Sequence, residues 1–131
     1  MGRSGHHPAL GRVLAFKYAL TGIRHAAGEP NFRIQLGAGI GALILGVLLH
    51  VSSGDWLALI LVSLAVLLME MINTAIEALT DLASSEYTRE AAIAKDVAAG
   101  AVLLASVGAV VVGVYIFLPP LLHLAGIKAL H

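Results

Sequence analysis

Three long apolar segments dominate the chain and alternate with short polar stretches. The segments run over residues 34–51, 56–79 and 97–118. Each is close to the length of about 20 residues that a helix needs to cross the hydrocarbon core of a bilayer. The pattern therefore predicts an all-α membrane protein with three transmembrane helices.

An amphipathic segment over residues 10–27 precedes the first apolar segment. Phe16 and Leu20 belong to an apolar series at helical spacing, whereas Lys17 and Arg24 belong to the opposite side. This pattern predicts a helix that lies in the membrane interface. A helix packed on the others with its basic face in water is an open alternative, and both arrangements keep the segment on one side of the bilayer.

Composition supports a membrane protein and excludes several other classes. Of the 131 residues, 59% are hydrophobic and only 12% are charged, which leaves no room for a separate soluble catalytic domain. We therefore expect one membrane-integral domain over residues 1–131. The absence of cysteine excludes thiolate metal sites and a cysteine nucleophile. Equal numbers of basic and acidic residues give no sign of nucleic-acid binding.

The distribution of basic residues predicts the orientation. Seven of the eight Lys and Arg residues lie in the N-terminal segment, at the start of the first apolar segment or in the polar loop over residues 80–96, and only Lys128 lies on the other side. By the positive-inside rule, the N-terminus and this loop face the cytoplasm, where ATP is available. The turn over residues 52–55 then faces out.

Small residues at four-residue spacing in the first and third apolar segments allow helices to approach closely in lipid. Three thin helices cannot easily enclose a polar site away from lipid, so we expect a closed homo-oligomer that uses these small-residue faces. The alternative is that Gly and Ala are simply common in membrane helices. The residues are Gly37, Gly41, Ala42, Gly46, Ala105, Ala109 and Gly113.

Polar residues interrupt the second half of the second apolar segment. Glu70, Asn73 and Glu77 are joined by Thr74 and by Asp81 at spacings that keep all five on one helix face. One ionisable residue inside a membrane helix costs on the order of 2.5 to 3.5 kcal/mol on insertion scales. This polar stripe must therefore face a protein interior or a water-filled cleft.

Different depths along the polar stripe suit different chemistry. Glu70 and Glu77 are separated by about 10 Å of helix rise. The deeper carboxylate can accept a proton from a buried alcohol, and the shallower one can hold a hydrated divalent cation. Glu29, just before the first apolar segment, is a candidate second metal ligand. Lys95 and Asp96 lie at the same cytoplasmic level and are candidates to contact a nucleotide.

Two other interpretations of the polar stripe stay open. The first is a polar network between helices that only fixes packing or oligomeric state. The second is an ion or proton pathway, since buried carboxylates often line such pathways. Against a pathway, residues 56–69 contain only Ser63 as a polar group that could extend it outward. The chain contains no P-loop motif, so a nucleotide would have to be held in another way.

The sequence Glu-Met-Ile-Asn-Thr-Ala-Ile-Glu over residues 70–77, followed by Asp81 and by Ala-Lys-Asp over 94–96, resembles the signature of the bacterial integral-membrane diacylglycerol kinase and undecaprenol kinase family. The resemblance covers roughly residues 12–120. It implies a homotrimeric bundle with an interfacial N-terminal helix. It also implies Mg²⁺-dependent transfer of the ATP γ-phosphoryl group to the hydroxyl of a membrane lipid in the bacterial inner membrane.

The resemblance also implies roles for individual residues. Glu70 is the expected catalytic base, with Asn73 beside it, and Glu29 and Glu77 are the expected Mg²⁺ ligands. Asp81 is expected to support the site. The residues expected to bind the nucleotide are Tyr18, Glu29, Glu77, Glu86, Tyr87, Thr88, Lys95 and Asp96, and those expected to bind the lipid are Arg12, Glu70 and Ala99.

Three short segments resemble one or the other branch of this family and indicate which lipid is the substrate. Residues 31–35 and 113–119 resemble the undecaprenol branch, whereas 85–87 resemble the diacylglycerol branch. The first two segments flank the region where lipid specificity is expected to be set, and the third belongs to the nucleotide loop. Undecaprenol is therefore the expected substrate, with diacylglycerol as the alternative.

Overall fold

The computed structural model describes residues 8–83 and 88–126. Its elements are four helices in chain order, and the last three are long and apolar enough to cross a membrane. The expected all-helical fold with three membrane-length helices is confirmed, and the trimeric assembly stays a prediction. The helices are α1 (Pro8–Ala26), α2 (Pro30–Leu48), α3 (Ser53–Ala83) and α4 (Arg89–Leu124).

Helix α1 matches the N-terminal segment predicted to lie in the interface. Its side chains over residues 13–25 are exposed, including Phe16 and Leu20, and Ala26 at its end is buried. Its C-terminal turn closes with a hydrogen bond from the Gly28 amide to the His25 carbonyl. An exposed apolar side of this kind is typical of a helix whose remaining contacts are with lipid.

Helix α2 begins and ends earlier than the predicted 34–51 segment. Pro30 occupies the first turn, where a missing amide hydrogen costs nothing because that amide has no partner in a helix. After Leu48 the chain leaves the helix, and His50 adopts a positive φ of 52°. The short connection that follows makes α2 and α3 antiparallel neighbours.

Helix α3 begins at a capping box rather than at Trp56. The Ser52 hydroxyl accepts a hydrogen bond from the Asp55 amide, and the Asp55 carboxylate accepts one from the Ser52 amide at 3.1 Å. This reciprocal arrangement supplies partners for amides that a helix start leaves free. The helix then continues to Ala83, beyond the predicted end at residue 79, because residues 80–83 extend the same helical turns.

Helix α3 packs against both α2 and α4 and is the central helix. Gly46 of α2 is buried, and a β-carbon there would lie 3.3 Å from the Trp56 ring and 3.4 Å from Leu59. Gly46 therefore lets α2 and α3 approach within the chain, which differs from its expected role between subunits. Gly37 and Gly41, in contrast, have nothing within 4 Å of such a β-carbon.

Helix α4 is longer than the predicted 97–118 segment at both ends. It begins at Arg89 because Thr88 caps it, accepting a hydrogen bond from the Ala91 amide at 3.2 Å, and because Ala-rich sequence favours helix. It also continues through Pro119 and Pro120, where a stop was expected. Each proline removes one amide donor while its fixed φ suits a helix, and the loss falls within two turns of the helix end.

Candidate active site

Glu70 lies on the central helix and is almost completely buried, with 3% of its surface exposed. Its carboxylate oxygen Oε2 accepts a hydrogen bond from Nε2 of Gln35 on α2, at 3.1 Å. Among the side chains that the structure describes, Gln35 is the only hydrogen-bond partner of this carboxylate. The other oxygen, Oε1, has no hydrogen-bond partner within the described part of the chain.

Asn73 lies one turn further along α3 and is also buried, with 7% exposed. Its Nδ2 donates to Oε1 of Glu77 at 2.9 Å. Its carbonyl oxygen Oδ1 is buried and has no partner among the described residues. Asn73 thus connects the buried part of the polar stripe to the exposed Glu77 and keeps one acceptor free near Glu70.

Glu29 and Glu77 lie at the same end of the helix bundle. The Gln35 to Glu70 contact sets the register of the antiparallel pair, and Glu29 precedes Gln35 by six residues while Glu77 follows Glu70 by seven. These separations correspond to about 9 and 10 Å of helix rise, so the two carboxylates lie at nearly the same level.

The two carboxylates fit the requirements of a magnesium site. Glu29 occupies the N-cap position of α2, yet its side chain makes no capping hydrogen bond, and Glu77 is exposed. Mg²⁺ in phosphate-transfer sites is held by one or two carboxylates together with phosphate oxygens and water. Within residues 8–83 and 88–126 no group of three or more His, Cys, Asp or Glu side chains could hold a metal ion.

Lys95 and Asp81 form an ion pair that joins α4 to α3. Both side chains are partly exposed, at 38% and 69% respectively. Because an ammonium group has three donors, Lys95 can hold Asp81 and a phosphate oxygen at the same time. Asp96, the next residue, is exposed at the same level.

The remaining predicted site residues have different positions. Ala99 is exposed on α4, one turn beyond Lys95. Thr88 uses its hydroxyl to cap α4, and Tyr18 is 68% exposed on α1. The Arg12 side chain and residues 86–87, which include the expected nucleotide contacts Glu86 and Tyr87, lie outside the described residues.

Gln35 is the site residue that was missed in predicting roles from the sequence. It is the only polar residue between positions 34 and 49, a signal that points to a specific partner. It also lies at the edge of a cavity of about 330 Å³ that α2, α3 and α4 enclose together. Ser63 and Ser106 are the other polar residues that line this mostly apolar cavity.

The fold and the site define a helical membrane protein with one buried carboxylate and a group of charged residues at one end of the bundle. The prokaryotic diacylglycerol kinase family matches residues 17–117, and the chain belongs to this family. The three apolar helices and the bacterial relatives together indicate a bacterial membrane protein.

Individual relatives carry two names. A diacylglycerol kinase of Synechocystis sp. is 43% identical over 114 residues, which are 86% of this chain and 65% of that protein. The undecaprenol kinase of Bacillus subtilis is 36% identical over 123 residues, which are 92% of this chain and 100% of that protein. A diacylglycerol kinase of Escherichia coli is 34% identical over 76% of this chain and 82% of its own length.

The match therefore spans just under two thirds of the Synechocystis protein and the whole of the Bacillus protein. The family and both names indicate a kinase that acts on a lipid alcohol.

Proposed function

We propose that this protein transfers the γ-phosphoryl group of ATP to the hydroxyl group of a membrane lipid, with undecaprenol as the preferred substrate. The observation that carries this proposal is the buried Glu70 carboxylate, which has one oxygen held by Gln35 and the other without a hydrogen-bond partner among the described residues. A carboxylate in this state can act as a general base toward an alcohol that reaches it from the lipid.

In the proposed reaction Glu70 is the only base, and it accepts the one proton that the lipid hydroxyl loses. The lipid oxygen forms a bond to the γ-phosphorus while its proton passes to Oε1 of Glu70, and the bond between the γ-phosphorus and the bridging oxygen of ADP breaks. The products are the lipid phosphate, ADP and one proton, which Glu70 later releases to water. Phosphoryl transfer needs mainly positioning and charge neutralisation, which a small helical site can supply.

Glu29 and Glu77 are the proposed ligands of Mg²⁺. Their common level at one end of the bundle supports this assignment, and Glu29 does not use its side chain to cap α2. When bound, Mg²⁺ neutralises charge on the β- and γ-phosphate oxygens. Asn73 orients the Glu77 carboxylate through its 2.9 Å hydrogen bond, so the ligand oxygen is directed before the nucleotide binds.

Lys95 and Asp96 are proposed to contact the phosphates of ATP from α4, with Asp81 holding Lys95 in position. Tyr18, Glu86, Tyr87 and Thr88 complete the proposed nucleotide site, as the family resemblance implies. These residues belong to the side of the chain that carries most of the basic residues, so the proposed site faces the cytoplasm and the membrane is the bacterial inner membrane.

The preference for undecaprenol rests on two segments of the chain. Residues 31–35 and 113–119 resemble the undecaprenol branch. Arg12 and Ala99 are proposed to contact the lipid as well. The higher identity to the Synechocystis diacylglycerol kinase favours diacylglycerol as the second candidate.

The proposed assembly is a homotrimer, supported by exposed apolar helix faces that contain Gly37 and Gly41. In a single chain α2 and α4 both cover α3, whereas Glu77 and Asp81 of the polar stripe stay exposed. A neighbouring subunit would complete their separation from lipid.

The proposed function is tested by offering γ-labelled ATP and Mg²⁺ to the purified protein in mixed micelles that contain undecaprenol or diacylglycerol. We expect label in undecaprenol phosphate, less label in phosphatidate, and none in either lipid with Glu70→Gln. Preferential labelling of diacylglycerol would reverse the substrate assignment. Labelling of neither lipid by an intact oligomer would contradict the kinase proposal and favour an ion pathway through the same carboxylates.

A further inference from the structure

Gln35 is a single amide in an otherwise apolar stretch of α2. A hydrogen-bond donor in hydrocarbon is stabilised by an acceptor from the protein, because no water is present there to take that place. The Gln35 amide meets this need with Nε2, which donates to Oε2 of Glu70 at 3.1 Å. The amide of Gln35 thus donates to the buried carboxylate on the neighbouring helix rather than to a backbone carbonyl of α2.

This contact connects two helices at the depth of the buried carboxylate. Glu70 is 3% exposed, and no other described side chain donates to its carboxylate. Without Gln35 the carboxylate would be free to rotate about its last side-chain torsion, which has broad and shallow preferences. One donor on Oε2 is enough to select one orientation.

We infer that Gln35 is a positioning residue for the phosphoryl transfer: its hydrogen bond to Oε2 fixes the Glu70 carboxylate so that Oε1 faces the lipid hydroxyl. This inference rests on the proposed function. Gln35 touches the base and acts through it. Because the amide is neutral, it orients Glu70 without adding a charge to the site, and a preformed orientation avoids reorganisation during the reaction.

The opposite end of the same amide supports this role. Oε1 of Gln35 is buried and has no partner among the described residues, although a buried acceptor normally has one. Gln35 also borders the cavity between α2, α3 and α4. The amide therefore makes its one hydrogen bond among the described residues to the Glu70 carboxylate.

The test compares Gln35→Met with Ser63→Ala in the lipid phosphorylation assay. Methionine has a similar length and lacks the donor, whereas Ser63 is a matched control that lies at the α2 to α3 contact beside Gly39 without touching Glu70. We expect Gln35→Met to lower kcat by about 10- to 100-fold, as displacements of about 1 Å from reactive geometry do. The KM values for lipid and ATP should stay within about twofold, because binding contacts remain. Ser63→Ala should keep the wild-type kcat.

A double-mutant cycle with Glu70→Asp separates positioning from general destabilisation. The shorter aspartate withdraws its carboxylate from Gln35, so the contact is already lost in this variant. Gln35→Met should then reduce kcat by less than about twofold further, since residues that act as a unit are not additive. An equal loss in both backgrounds would overturn the inference, as would a loss confined to KM.

As a control for correct folding and assembly, the oligomeric state and the thermal unfolding midpoint of each variant are measured in detergent. If Gln35→Met fails to assemble, Gln35→Asn replaces it, because the shorter amide stays polar but cannot reach Glu70. Gln35→Asn should also show the loss in kcat with KM preserved. A wild-type kcat in either folded variant overturns the positioning role and leaves the kinase proposal intact, whereas a wild-type protein that labels no lipid overturns both.

Discussion

Asn73 donates a hydrogen bond to Glu77 across one turn of α3, with 2.9 Å between Nδ2 and Oε1. Asn73 is 7% exposed and Glu77 is exposed, so this contact runs from the buried part of the helix to its open end. Glu70, one turn before Asn73, has its own partner on α2. The carboxylates of the polar stripe thus have separate partners and different surroundings, which suits separate roles as base and metal ligand.

Glu70→Gln should lower turnover by at least about 100-fold, the lower limit of what a general base usually contributes. Glutamine keeps the size of the side chain and still offers Gln35 an acceptor, so the oligomeric state and the thermal unfolding midpoint should not change. The measurement is the initial rate of lipid labelling at saturating ATP and lipid. Turnover near the wild-type rate would exclude Glu70 as the base.

Glu29→Ala and Glu77→Ala should each raise the Mg²⁺ concentration for half-maximal activity by at least about tenfold, since weaker perturbations of metal sites already reach that size. The measurement is a Mg²⁺ titration at saturating substrates. Glu90→Gln is the control because it removes an exposed carboxylate from the first turn of α4. The ligand assignment is wrong if both alanine variants reproduce the wild-type titration.

Asp81→Asn and Lys95→Met should both raise the KM for ATP, because the first removes the charge that orients the ammonium and the second removes the ammonium itself. The double variant should resemble Lys95→Met alone, since Asp81 acts through Lys95. Steady-state kinetics in ATP at fixed lipid concentration measures this. If the increase in KM for ATP in the double variant equals the product of the two single increases, Asp81 contributes independently of Lys95.

The three membrane-length helices and their order followed from the hydrophobic pattern, because an apolar segment of about 20 residues has few alternatives to a transmembrane helix. The positions of the helix ends did not follow from this pattern. The charged residues over 80–96 predict a loop, yet residues 80–83 continue α3 and residues 89–96 begin α4. Helices can extend past the apolar region into water, and the limit then depends on caps such as Thr88 rather than on hydrophobicity.

In the candidate site, too, some features were predictable from the sequence and others required the structure. The stripe on α3 was predictable because its spacing within one helix determines which residues share a face. The contact of Gln35 with Glu70 depends on the register between two helices, which no spacing within either helix reveals. The same holds for Lys95 and Asp81, whose pairing across α3 and α4 required the structure.

The two kinds of glycine on α2 should respond differently to a large side chain. Gly46→Leu should lower the thermal unfolding midpoint, because the new side chain must displace Trp56 and Leu59, and overpacking of this kind costs about 1 to 3 kcal/mol. Gly37→Leu has open space within its own chain, so the helices of the subunit should pack as before. If the face with Gly37 is the subunit contact, this variant should instead dissociate the oligomer, which analytical ultracentrifugation in detergent measures. An intact oligomer with Gly37→Leu would show that the subunits meet elsewhere, and an unchanged midpoint with Gly46→Leu would contradict the close α2 to α3 contact.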